Sequence, residues 1–219
     1  MRKISFELNE FYHIYNRGVE KRLLYMDKLD HERFIKLLFF CNSLKRVNIR
    51  DLPKGLAFVE FNRGETIVDI GAYCLMPNHF HILVREKTEN GISTFIQKLL
   101  TGYTMYFNAK NKRKGRLFES TFQAVHANSD EYLKYLFAYI HLNPAKLVDP
   151  TWKEVGVKSE AKINEFLNNY QFSSFLDYSI SDTERDYSQV LSKKAFPHYF
   201  TTSDEFQSNI FDWLNYTKA

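Results

Sequence analysis

The sequence has only two cysteines, Cys41 and Cys74, among its 219 residues. Both lie in apolar segments, so neither a disulfide framework nor a cysteine-ligated zinc site is expected, and a reducing cytoplasm fits. Long hydrophobic runs are also missing, because stretches such as 37–41 are far shorter than the roughly 18–20 residues that span a bilayer. The first 18 residues contain no continuous apolar stretch, so we expect no signal peptide. These absences predict a cytoplasmic globular protein.

The composition is that of a chain with a real core, with 44% hydrophobic and 26% charged residues. Its charge is unevenly spread: residues 150–219 hold 7 Lys/Arg and 10 Asp/Glu, whereas residues 1–149 hold 23 and 16. The stretch 91–118 contains six basic residues and no acidic one. Such a patch attracts phosphates, and the 14 Tyr and 20 Phe offer surfaces on which bases stack. A solvated helix end above an aromatic core remains the alternative.

Hydrophobic periodicity divides the chain into alternating strands and helices. Strands are predicted over 10–17, 66–75, 79–86 and 120–127, and helices over about 30–46, 91–110 and 129–143. Residues 47–64, with Pro53, Gly55 and Gly64, predict an inserted loop that contains a short strand at 56–61.

This order predicts an α+β fold of the ferredoxin-like, split βαβ type, an antiparallel sheet with helices on one face. Its first and third strands, 10–17 and 79–86, lie side by side in the middle of the sheet. We therefore divide the chain into a core, 1–149, and a mostly helical C-terminal extension, 150–219.

Two histidines share one face of a predicted strand. In His79-Phe80-His81 the imidazoles stand at i and i+2 and project to the same side, where they could bind one divalent metal. Two surface histidines on a strand remain the alternative.

A tyrosine and an asparagine share a face of the predicted helix 129–143. Tyr139 and Asn143 are four residues apart, about 6 Å along the helix axis. A phenol oxygen can attack a phosphodiester and keep its bond energy in a phosphotyrosine, and an amide carbonyl can complete a metal site. Packing is the ordinary role of tyrosines at helical spacing.

Three separated motifs resemble one enzyme family. They are HFH at 79–81 after LMPN, GRLFESTF at 115–122 and YIHLNPAKLV at 139–148, followed by YQFSSF at 170–175. Together they resemble the IS200-like, single-tyrosine transposases of the HUH nuclease superfamily, and above all the REP-associated tyrosine transposases. The resemblance covers residues 10 to 180, and it departs from the family in the 47–64 insertion, in the longer acidic extension and in Phe175, where a tyrosine is usual.

The resemblance implies a function. The family cleaves single-stranded DNA beside a folded hairpin, through a 5′-phosphotyrosine intermediate that leaves a free 3′-hydroxyl, with Mg²⁺ or Mn²⁺. It implies His79, His81 and Asn143 as metal ligands and Tyr139 as the nucleophile. It further implies a nucleoid-associated protein in a bacterial cytoplasm. We favour a monomer over a homodimer, because the connection from strand 120–127 into helix 129–143 is short.

Eight residues are candidate DNA contacts. Tyr12 and His13 lie on the strand that neighbours the two histidines, beside Tyr15, and Arg17 closes that strand in an Asn-Arg-Gly segment like that of the family. The rest form a basic loop: Lys110, Lys112, Arg113, Lys114 and Arg116.

Other residues and functions were weighed against this reading. Tyr103, Tyr106, Tyr132 and Tyr135 lack an asparagine four residues on, and His141 points away from Tyr139. A catalytically silent binder of hairpin DNA or RNA, or another HUH-type nicking enzyme, remains the alternative function.

Overall fold

The computed structural model describes residues 5–45, 47, 57–180 and 185–215. Within it, four antiparallel strands form one sheet in the order β2-β3-β1-β4. The strands are β1 (Phe11–Arg17), β2 (Val68–Met76), β3 (His79–Glu86) and β4 (Gln123–His126). The predicted α+β class and the central pairing of the first and third strands are confirmed.

One face of the sheet packs against α1 (Lys28–Phe40) and α2 (Gly91–Lys110). Alternation along each strand directs Ile14, Phe80 and Ile82 to this side, and each is fully buried. The α2 N-terminus is capped from β3, because the Glu86 carboxylate accepts the backbone N–H groups of Gly91 and Ile92 at 2.9 and 2.7 Å.

The first helix is shorter than predicted. It ends at Phe40 because the buried amide of Asn42 bonds the chain entering β2. The Asn42 Nδ2 donates to the Val68 carbonyl at 3.0 Å, and its Oδ1 accepts from the N–H of Ile67 at 2.9 Å.

The opposite face is covered by α3 (Asp130–Leu142), which begins at a Ser129 cap that accepts the Tyr132 N–H. Apolar side chains of β2 and β3, such as Cys74 and Leu83, also point to this side, and α3 buries them. The expectation of helices on one face therefore holds for α1 and α2 and requires correction for α3.

The extension is mostly helical, as predicted. It contains α4 (Trp152–Val155), α5 (Glu160–Asn169), α6 (Phe175–Ser179) and α7 (Ser203–Asn215). Its apolar residues pack against Ala138 and Leu142 of α3, and residues 172–174 hydrogen-bond to the outer edge of β2. The boundary at 149 stays a prediction, since one apolar cluster contains residues from both sides of it.

Part of the 47–64 insertion lies outside the described residues, namely 48–56. The strand predicted for 56–61 is wrong where the chain is described, because Phe58–Glu60 form a single 3-10 turn. Phe58 is buried in a stack on Phe39, with ring centroids 4.5 Å apart, and its N–H donates to Asp186 Oδ1 at 2.6 Å. Within the described residues, this segment is held by side-chain contacts and hydrogen bonds and not by strand pairing.

No helix of the described residues is both long and apolar enough to cross a membrane.

Candidate active site

The predicted histidine pair lies on the face of the sheet that α3 crosses. The antiparallel register sets Tyr15 opposite His81 and Arg17 opposite His79, so the alternate residues of β1 and β3 share this face. The His79 and His81 ring centroids are 5.0 Å apart. A third histidine joins them, because His13 Nε2 lies 2.8 Å from His81 Nδ1.

The ring of Tyr139 lies edge-on against two of these histidines. Its centroid is 5.5 Å from that of His81 and 5.6 Å from that of His13. The buried residues Leu136 and Ile140 hold α3 on the sheet, which fixes the position of Tyr139 between them. The side chains enclose a cavity of about 290 Å³, lined by His13, Tyr15, His81, Val125, Tyr132, Tyr135, Leu136 and Tyr139.

Asn143 directly follows α3 and is buried. Its Nδ2 donates to the Tyr139 carbonyl at 2.7 Å, which leaves Oδ1 as the side chain's acceptor. The contact also ties Asn143 to the turn of helix that carries Tyr139.

The histidines are neutral at physiological pH. Burial lowers the pKa of His13 and of His79 to about 4, and it lowers the pKa of His81 well below the ordinary value. His79 Nδ1 lies 2.7 Å from the Asn78 side-chain oxygen, so this nitrogen carries the proton and Nε2 keeps its lone pair. Burial raises the pKa of the Tyr139 hydroxyl, and a hydrogen bond with the Asn143 side chain acts in the opposite direction.

Two of the eight expected DNA contacts are buried. Tyr12 points to the opposite face, is 1% exposed and accepts the Glu7 N–H at 2.9 Å, so it cannot meet DNA there. His13 is 5% exposed and contacts His81, which makes it a neighbour of the site and not a surface contact. Arg17 is exposed and pairs with Glu119 at 3.1 Å.

The basic loop is divided between internal and exposed side chains. Lys110 pairs with Asp27 and Asp30 at 2.7 and 2.6 Å, so the expected DNA contact at Lys110 is corrected to an internal ion pair. Arg113 lies over Phe107 and donates to Asn108 Oδ1 at 2.7 Å. The side chains that extend into solvent are Lys112, Lys114 and Arg116.

The loop lies near the histidine end of the sheet. The N–H of Val19 donates to the Leu117 carbonyl at 2.9 Å, just beyond the end of β1 where Arg17 pairs with His79. A DNA role for the exposed part stays a prediction.

Of the other tyrosines and histidines named in the sequence, Tyr132 and Tyr135 line the cavity with Tyr139, and the rest lie elsewhere. Tyr103 and Tyr106 lie on the α1–α2 side, where their hydroxyls donate to the Leu24 carbonyl and to Asp30 at 2.5 and 2.9 Å. His141 is buried, with Nε2 2.7 Å from Ser174 Oγ.

Sequence reasoning missed one residue beside Tyr139. The ammonium of Lys153, on α4, lies 4.3 Å from the centroid of the Tyr139 ring. No motif or spacing links the two residues, so the contact appears only in the folded chain.

Residues 56–143 match the family model described as IS200-like transposase. Over nearly its whole length the chain is similar to the solved structure of a REP-associated tyrosine transposase bound to a REP hairpin, with a TM-score of 0.55 and 12% identity. The similarity covers 85% of this chain and 88% of that one. No curated protein sequence matches the chain.

The resemblance predicted from the three motifs is thus confirmed: residues 56–143 match the IS200-like transposase model, and the chain has the fold of the solved REP-associated tyrosine transposase.

Proposed function

We propose that the protein cleaves and rejoins single-stranded DNA beside a hairpin, with Tyr139 as the nucleophile. The observation that carries the proposal is the contact of Tyr139, from α3, with the His81 ring of β3 and its neighbour His13. An accessible phenol held against neutral imidazoles in a small cavity has the composition of a phosphoryl-transfer site. The proposed DNA partner agrees with the hairpin bound in the similar solved structure.

The proposed reaction exchanges one phosphodiester for another. The Tyr139 oxygen bonds to phosphorus, its proton passes to solvent, and the bond between phosphorus and the 3′-oxygen breaks. The leaving 3′-oxygen takes a proton from solvent, so the products are a 5′-phosphotyrosine and a free 3′-hydroxyl. Attack by another 3′-hydroxyl reverses these steps and joins strands without an external energy source.

A divalent metal, Mg²⁺ or Mn²⁺, fits the donors on this face. His79 and His81 would bind it through Nε2, because their Nδ1 atoms face Asn78 and His13. Asn143 Oδ1 would be the third ligand, as the resemblance implies, because its Nδ2 already donates to the Tyr139 carbonyl and the oxygen is left as an acceptor. The described residues contain no group of three His, Cys, Asp or Glu able to hold a metal by themselves. Such an ion supplies Lewis-acid polarisation of the phosphate.

Exposed cations near the His79 end of the sheet would bind the DNA backbone. Arg17, Lys112, Lys114 and Arg116 are solvent-accessible, and a backbone contact needs only charge and reach. Tyr15 is half-buried at the cavity and could stack on a base.

We propose that one chain completes its own site, which favours a monomer. The connection from β4 to α3 spans only 127–129, and Tyr139 contacts His81 of the same chain.

The test is formation of a covalent protein–DNA adduct. Wild type, Tyr139→Phe and Tyr135→Phe are incubated with labelled hairpin-bearing single strands and Mn²⁺, then separated on a denaturing gel. We expect an adduct with wild type and with Tyr135→Phe, because Tyr135 lies on the same helix but has no neighbouring amide ligand. Tyr139→Phe should lose the adduct by at least roughly 10³-fold, since no oxygen remains to attack.

Hairpin binding by each variant is measured in the same samples. Retained binding by Tyr139→Phe would assign the loss to chemistry. An adduct with Tyr139→Phe would disprove the nucleophile, whereas tight binding and no adduct with wild type would favour the silent hairpin binder.

A further inference from the structure

The C-terminal extension places a lysine against the ring of the candidate nucleophile. Lys153 places its ammonium 4.3 Å from the centroid of the Tyr139 ring. Its neighbour Trp152 is buried in the apolar cluster that also contains Leu142 of α3. Because this anchor fixes α4 against α3, the position of Lys153 beside Tyr139 is built into the packing of the extension.

A second lysine, Lys146, lies close to the same group of residues. It belongs to the turn that follows α3, and its positive charge lowers the pKa of His79, His81 and Lys153. Lys153 likewise acts on His81. The positive charges of Lys146 and Lys153 therefore both act on His81, and that of Lys146 also acts on His79.

Lys146 and Lys153 are both exposed in the part of the chain that the structure describes, so a phosphate could reach their ammonium groups. No ion pair joins Lys146 or Lys153 to a carboxylate there, whereas Lys158 of the same extension lies 3.9 Å from Asp149. Partial desolvation of the ammonium, followed by repulsion from Lys146, lowers the pKa of Lys153 to about 8, and the neighbouring Glu154 acts in the opposite direction. A bound anion between the two lysines would relieve this repulsion.

We propose that Lys153, with Lys146 beside it, binds the non-bridging oxygens of the phosphodiester that Tyr139 attacks. This inference rests on the proposed function and extends it to a residue outside the three motifs. As the Tyr139 oxygen bonds to phosphorus and the 3′-oxygen leaves, negative charge grows on the phosphoryl oxygens. An ammonium already in place stabilises that charge and the phosphotyrosine that follows.

A purely structural role for Lys153 makes a different prediction. If the aliphatic stem and ammonium only pack on the Tyr139 ring, methionine would preserve most of the contact, and arginine would be no better than methionine. If the ammonium binds phosphate, charge is essential and arginine restores part of the function.

The experiment compares Lys153→Met and Lys153→Arg with wild type, with Lys162→Met as the matched control. Lys162 is an exposed lysine of α5 in the same extension, so the control removes the same charge from the protein. Single-turnover adduct formation is measured at rising concentrations of the hairpin-bearing strand, together with hairpin affinity, Mn²⁺ affinity and thermal unfolding.

We expect Lys153→Met to slow adduct formation at saturating DNA by roughly 10²-fold or more, the usual loss when a group that stabilises transition-state charge is removed. Lys153→Arg should recover at least tenfold of this loss. Hairpin affinity should fall only a few-fold, as expected for the loss of one phosphate contact, Mn²⁺ affinity and unfolding should stay at wild-type values, and Lys162→Met should match wild type throughout.

A saturating rate for Lys153→Met within threefold of wild type would overturn the phosphate contact. So would a loss that arginine does not recover, or one that follows Mn²⁺ affinity or unfolding. An absent wild-type adduct would instead overturn the nuclease activity and this inference with it, so the two failures are distinguishable.

Discussion

The two faces of the sheet are built from the same four strands but serve different purposes. On β1, Tyr12 and Ile14 point towards α1 and α2 into a core that is almost wholly apolar and aromatic. His13 and Tyr15, the alternate residues, point towards α3 and border the cavity that contains Tyr139. One strand therefore supplies both the main core and the candidate site.

The difference between the faces lies in how their polar groups are satisfied. The α1–α2 face buries mostly apolar surface, which stabilises the fold at about 25 cal/mol per Å². On the α3 face, imidazoles are buried and must find partners, and His13 and His81 find each other at 2.8 Å. An unpaired buried polar group costs about 1–3 kcal/mol, and this pairing avoids a cost that the apolar face does not incur. The α1–α2 face stabilises the fold, and the α3 face positions the side chains of the candidate site on that rigid sheet.

The largest effect should come from neighbouring substitutions on β3 that act on opposite faces. Phe80 is fully buried against Phe34, with ring centroids 5.2 Å apart. We expect Phe80→Ala to lower the free energy of unfolding by about 3–5 kcal/mol, because it leaves a large cavity. His81→Ala should cost less than half of that and yet abolish the DNA adduct. Guanidinium unfolding and the adduct assay measure the two properties.

If Phe80→Ala does not fold, the milder substitution Phe80→Leu takes its place. Adduct formation should persist in Phe80→Leu wherever the protein is folded. Equal losses of stability in Phe80→Ala and His81→Ala would contradict the division of labour between the faces.

The second prediction concerns His13, which contacts the proposed metal ligand His81 but is not itself a proposed ligand. His13 Nε2 lies 2.8 Å from His81 Nδ1 and so directs His81 Nε2 towards the metal position. Removal of such a partner typically weakens metal binding by about 10–100-fold, and we expect this range for His13→Ala. Mn²⁺ titration measures it. An unchanged Mn²⁺ affinity, with loss confined to DNA binding, would restore His13 to the direct DNA contacts.

The strands, the α2 and α3 helices and the histidine face could be predicted because each depends on local periodicity. Which residues of β1 lie on the same face as His79 and His81 could not be predicted. That depends on the pairing of Tyr15 with His81, between strands that are far apart in the sequence. The wrong prediction that Tyr12 contacts DNA follows from this. The contacts of Lys110 and Lys153 could not be predicted for the same reason, because their partners, Asp30 and Tyr139, belong to other elements.

The third prediction separates the two kinds of lysine near the basic loop. Lys114 is exposed, so Lys114→Ala should reduce the salt dependence of hairpin binding by about one unit in the log–log slope and weaken binding a few-fold. Lys110→Ala should leave that slope unchanged and lower thermal stability, because it removes the ion pair with the fully buried Asp30. Binding measured from 50 to 300 mM salt distinguishes them, and equal slopes for both variants would contradict the assignment.

The smallest effect is expected from Tyr12→Phe, which should lower stability slightly and leave DNA binding and cleavage unchanged. Tyr12 faces the main core, and its hydroxyl only accepts the N–H of Glu7 at 2.9 Å. Loss of that hydrogen bond should cost about 0.5–1.5 kcal/mol of unfolding free energy. Hairpin affinity and adduct rate should not change, whereas Tyr15→Ala, on the other face of the same strand, should weaken or slow at least one of them. Because the two tyrosines are three positions apart on one strand, equal effects of both variants on DNA would mean that the sheet faces do not divide core from chemistry.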